Sequence, residues 1–189
     1  MRKRTYLAAM LAVPVLTAAA LATLSFQPGS RVWIQGTSTT RGYRCESTSV
    51  QGTAAATTAS LAELRSIPRA EVTVALASLD CRNGTMNGHM RRALKADANP
   101  TIRFQATSIA VTPGEGGAAA RMSGDLTIAG QTRPVTIEGT VVEESGQLRV
   151  RGTEQINMTE YGVRPPSLML GTMRVRPLVT VGFDVVLKP

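Results

Sequence analysis

Along residues 124–141, Leu126 and Ile128 alternate with Asp125 and Thr127, and Val135, Ile137 and Val141 alternate with Thr136, Glu138 and Thr140. A period of two is that of a strand with one dry face and one wet face. The two runs predict a β-hairpin turning at Gly130 and Gln131, where glycine takes the positive φ that a type II′ turn asks of its first central residue. Pro134 has no N–H to donate and suits only a strand start or an edge. The same pattern predicts further strands over residues 31–37, 43–51, 71–79, 101–111, 147–154 and 178–187, with the hairpin arms at 121–129 and 133–142. One face collects Val72, Val74 and Leu76, then Ile102, Phe104 and Ala106, then Leu148 and Val150, and last Val179, Val181, Phe183, Val185 and Leu187. In residues 31–37 both faces are apolar, and alternation leaves open whether Trp33 or the pair Val32 and Ile34 turns inward.

The period changes over residues 85–96. Met86, Met90, Ala93 and Leu94 fall on one side of a helix, with Arg91, Arg92 and Lys95 largely off it. The helix ends ahead of Pro100, because the residue before a proline is pushed out of the α region. Residues 158–161 read as one helical turn, and 163–172, with Pro165, Pro166 and the apolar Leu168, Met169 and Leu170, as a covering loop. Residues 23–30 read as a polar linker, 53–60 as a loose connection and 113–117 as an exposed hairpin loop. Together these elements predict an all-β fold, an antiparallel barrel of about eight strands with one inserted short helix, or else a sandwich. A barrel leaves no exposed edge. At about eight strands its interior is either filled by side chains or holds one small ligand.

Residues 1–22 change the picture of where the chain works. Arg2, Lys3 and Arg4 precede an apolar run over residues 7–16, and Ala20, Leu21 and Ala22 form a small-x-small site, the pattern of a signal peptide cleaved after Ala22. This leaves residues 31–189 as one barrel domain in the periplasm; the alternative is an uncleaved membrane anchor over residues 7–24, against which Pro14 and the weakly apolar Ala and Thr count. The whole chain has 21 Lys and Arg against 13 Asp and Glu, three of the basic residues in the leader and no acid there, so the remainder carries 18 against 13. That modest excess is dispersed and lacks interleaved aromatics, which argues against a nucleic-acid partner. Cys45 and Cys81, an even pair in an exported chain, are expected to form one disulfide. Aromatic residues make up only 4% of the chain, so core volume must come from aliphatic side chains and eight methionines, which pack adaptably.

Catalysis has little to build on. His89 is the only histidine, and any His-based triad would need it. Asp80, Asp97, Asp125, Glu143, Glu144 and Asp184 show no paired spacing for acid/base work. Two cysteines and one histidine fall short of a zinc set, and no glycine-rich loop leads from a strand into a helix, so neither an enzyme, a metal nor a cofactor is expected.

A resemblance adds what spacing cannot. GDLTIAGQTRPVTIEGTV at residues 124–141, NGTMNGHMRRALKADANPTIRFQ at 83–105, INMTEYGV at 156–163 and VTVGFDVVL at 179–187 resemble, in order, motifs of the YceI-like family. That family comprises periplasmic, lipocalin-like barrels that bind polyisoprenoid lipids. The resemblance spans residues 31–187 and looks like a short variant with trimmed opening strands. It implies a bound isoprenoid-type lipid, a quinone tail or a polyprenyl chain, walled by Phe104, Ile128, Val135, Ile137, Val150, Val181 and Phe183. Leu168, Leu170 and Met173 would form a lid, and His89, Arg91 and Arg92 would meet the head group. Every wall residue also suits a filled core, so the alternative is an unliganded envelope module whose loops meet a partner protein or a membrane surface.

Overall fold

A computed structural model of the chain describes residues 22–56, 58, 60–168, 170 and 172–188, without the side chain of Leu168. The expected leader lies outside the described residues except for Ala22. Eight antiparallel strands close into a barrel. β1 has two segments, Ala22–Phe26 and Arg31–Thr37, and β2 has two, Gly42–Ser47 and Val50–Ala56. β3 (Arg69–Ala75) leads to helix α1 (Gly84–Ala93), and β4 (Thr101–Gly114), β5 (Gly117–Ile128), β6 (Gln131–Glu144) and β7 (Gln147–Asn157) follow as a meander. β8 (Leu178–Lys188) returns to β1, pairing Leu187 with Phe26 in the first segment and Gly182 with Trp33 in the second.

The hairpin between β5 and β6 turns one residue earlier than the pattern predicts. Ile128 pairs with Gln131, and the two residues between them, Ala129 and Gly130, have φ of 50° and 81°. Positive φ at both central positions is the type I′ geometry, whose twist matches that of the flanking strands. In β4, Ala106 faces Gly124 and Ser108 faces Ser123, so Thr107 is an extra residue. This bulge switches the inward parity from Ile102, Phe104 and Ala106 to Ile109 and Val111, and both apolar runs reach the core.

Two segments expected to be irregular are part of the wall. Ala22–Phe26 is no linker: it pairs with β2 and β8, and Leu24 is fully buried. Residues 53–56 continue β2, with Ala54 and Ala56 in the core. Their low strand propensity is overridden because barrel closure supplies pairing on both sides.

On β1, Val32 and Ile34 turn inward and Trp33 outward. The indole lies flat on Gly182, where any Cβ would collide with it, and the Arg44 guanidinium stacks on its far face at 4.3 Å. Beside it Asp184 is almost fully buried on the outer wall. Arg149 donates to its carboxylate through Nε at 2.6 Å and Nη2 at 2.8 Å, with Arg31 at 3.1 Å and Arg151 at 3.4 Å. The Arg149 hydrogen bonds hold the Asp184 carboxyl below the usual carboxylate range. This cluster clamps β7, β8 and β1 together where the barrel closes. Cys45 and Cys81 form the expected disulfide, joining β2 to the loop before α1.

Candidate functional site

Helix α1 lies across one end of the barrel, held by a chain of local contacts. Asn83 caps it, its Oδ1 accepting from the Met86 N–H at 2.9 Å. Asn87 accepts from the Cys81 N–H at 2.8 Å and donates to Asp80 Oδ1 at 2.8 Å, fastening the helix to the disulfide loop. That hydrogen bond from Asn87 is the main reason the Asp80 carboxyl sits below its ordinary range. Arg91 donates to the Ala77 carbonyl at 3.3 Å, a second strap.

Beneath the helix is a cavity of about 360 Å³. Met86, His89 and Met90 cover it; Ile34, Tyr43, Leu79, Ile128, Val163 and Val179 contribute to its wall. Arg41, Ser38 and Met173 stand at its rim. Burial pushes the Tyr43 phenol above its ordinary value. A second cavity of about 150 Å³ lies deeper, against Phe104, Ile137, Val150 and Phe183. The two share Val32, Val74, Ile102, Leu126, Ile156 and Val181, so the barrel holds one apolar interior with a waist. The larger compartment alone falls in the range of small-molecule sites. Such an interior can bury an extended hydrocarbon by removing its surface from water.

The residues expected from sequence distribute as follows. Phe104, Ile137, Val150 and Phe183 line the deep compartment, Ile128 and Met173 the wide one, and Val181 both. Val135 packs in the core beside the wide compartment and is not part of either lining. The backbone of Leu168 pairs with Met173 in a two-residue ladder, while its side chain lies outside the described residues. Leu170 is fully exposed and lines neither compartment. His89 faces the wide compartment; Arg92 donates to its Nδ1 at 2.9 Å, which leaves Nε2 to carry the ring proton. Arg91 and Arg92 line neither compartment. Among the described residues no group of three His, Cys, Asp or Glu could hold a metal ion.

Two contributions escaped the sequence reading. Arg41, in the turn joining β1 to β2, supplies a cation at the rim. Glu154 lines the deep compartment, the only charged side chain to do so among the described residues. Its parity was visible: Leu148, Val150, Gly152, Glu154 and Ile156 fall on one face of β7.

Both the closed meander and the apolar interior agree with a match to the YceI-like domain model over residues 24–187. The chain belongs to the YceI-like family. No curated protein sequence matches it. Among solved structures it is similar to Burkholderia cenocepacia BcnA, at 20% identity and a TM-score of 0.68, covering 84% of this chain and 96% of that one. It is also similar to a polyisoprenoid binding domain from Saccharophagus degradans implicated in plant cell wall breakdown, at 13% identity and a TM-score of 0.65, covering 87% and 97%. The Campylobacter jejuni YCEI protein follows, at 14% identity and a TM-score of 0.55, with 98% and 97% covered. At these identities the likeness establishes the shared barrel. As a YceI-like chain, the protein belongs to a family of binding domains, and its apolar interior supports lipid binding within the barrel.

Proposed function

We propose that this YceI-like protein is an exported carrier of an isoprenoid-type lipid, a quinone or a polyprenyl chain, whose hydrocarbon tail occupies the barrel beneath α1. The observation that carries the reading is the unfilled apolar interior, with compartments of about 360 and 150 Å³ meeting at Val181. An unliganded module would have side chains in that space, since protein interiors otherwise pack to crystal-like density. The named ligand class of the Saccharophagus degradans domain supports an isoprenoid. The leader pattern of residues 1–22 and the disulfide support export to an oxidising compartment.

Native mass spectrometry of the protein purified from the cell envelope, followed by organic extraction, tests the reading. The expected result is a prenyl lipid adduct, and its loss in Val181→Trp, which fills the waist. Protein that is lipid-free and takes up neither geranylgeraniol nor decylubiquinone at excess would overturn it. The intact mass also tests export: a chain beginning at Thr23 is expected, and one retaining residues 1–22 would refute cleavage.

A further inference from the structure

Between β6 and β7 the backbone ladder runs only from Glu144 and Gln147 to Gly139 and Gly152. Beyond it, residues 131–138 remain paired to β5 and residues 153–157 remain paired to β8, yet the two strands do not pair with each other. A long closed barrel has no structural need for such a seam, because unpaired backbone groups are satisfied only where water or another partner reaches them. The seam ends where Arg133 Nε donates to the Glu160 carbonyl at 3.2 Å. Between these two ends the strands run without ladder bonds to each other, with Ile137 on one side and Glu154 and Ile156 on the other.

Glu154 is half-buried there, and among the described residues it has no hydrogen bond or ion pair with another side chain. It neighbours Val181 across the β7–β8 ladder and Ile156 along its own strand, two of the six wall residues common to both compartments. A carboxylate without a side-chain partner thus lines the deep compartment next to the waist of an apolar interior, beside the unpaired stretch of the wall.

We propose that Glu154 and the β6–β7 seam form a head-group site that accepts the hydroxyl of a prenyl alcohol or hydroquinone and repels a prenyl phosphate. The site deepens the carrier reading and rests on it. A hydroxyl donates to an ionised carboxylate in a strong, charge-assisted bond, whereas a phosphate brings like charge against it. Arg41 at the rim would attract an anion, but it is exposed and its charge is screened by water. Glu154 stands in the wall of the deep compartment itself, where like charge meets an anionic head group directly, and it governs the selection.

Geranylgeraniol and geranylgeranyl phosphate are titrated into delipidated protein, with binding read by native mass spectrometry. The wild type is expected to prefer the alcohol by about tenfold or more. Glu154→Gln keeps shape and hydrogen bonding but removes the charge, and should narrow that ratio mainly by tightening the phosphate. Glu154→Leu removes the acceptor and should weaken the alcohol. A wild-type protein that binds both probes equally, or a ratio unchanged in a folded Glu154→Gln protein, overturns the head-group site and leaves the carrier reading standing. A wild type that binds neither probe overturns both.

Discussion

Breaking the Cys45–Cys81 bridge is expected to separate the stability of the barrel from the closure of its cavity. The bridge spans 36 residues of sequence. On the chain-entropy account, closing such a loop in the unfolded chain is worth about 3.8 kcal/mol at 25 °C. For a chain of this size each kcal/mol moves the melting temperature by about 2–4 °C, so reduction should lower it by about 8–15 °C. The loss should not be uniform. Cys81 lies directly before α1, and the Asn87 bond to the Cys81 N–H depends on that loop holding its place, while the β4–β8 meander contains neither cysteine. Far-ultraviolet circular dichroism should therefore retain its strand signal well below the new melting point, and a probe bound under α1 should leave faster. Differential scanning calorimetry with and without reductant measures the first effect, and displacement of a fluorescent prenyl probe the second. Cys45→Ala/Cys81→Ala serves as the control, since it should already melt low and ignore reductant. A reduced wild type that melts within about 2 °C of the oxidised form would refute the loop-closure argument.

Leu24→Ala should cost about 2–5 kcal/mol by chemical denaturation, because its side chain is fully buried; a cost below about 0.5 kcal/mol would return residues 22–26 to the status of a linker. Gly182→Ala should force the indole of Trp33, the only tryptophan, off the β8 surface, destabilising by about 1–3 kcal/mol and red-shifting the fluorescence; unchanged emission would refute the packing. Asp184→Asn should be least stable relative to wild type near neutral pH. The folded carboxyl titrates below its unfolded value of about 3.9, so its stabilisation is present above that value and disappears as pH falls through the lower folded one. Melting curves from pH 7 to 2 should show the two proteins converging, and a constant gap would refute the linkage.

The order and faces of the strands after residue 70 were legible because alternation is local, as in β5 and β8. Their ends were not: the strand expected over 71–79 stops at Ala75 before a 3-10 turn at Leu76–Ser78, and the loop expected over 113–117 shrinks to a tight turn between Gly114 and Gly117. The helix and the turn at Met158–Tyr161 were legible from neighbouring residues too, and the disulfide from the chain's having only two cysteines. Trp33 against Val32 and Ile34 was undecidable locally, since all three are apolar; the choice was made by Gly182 on the strand opposite, which leaves room for an indole outside the wall. Ala22–Phe26 and residues 53–56 have little strand character of their own and become strands only because closing the ring gives them partners on both sides.

Sequence by itself determined the period, the order of the elements and the family, because these are properties of neighbouring residues. Tertiary structure decided whether the barrel is empty or full. Phe104, Ile137 and Val181 would serve a solid core and a cavity wall equally well. The difference is the volume that side chains from eight strands fail to fill, and that sum exists only once the ring has closed.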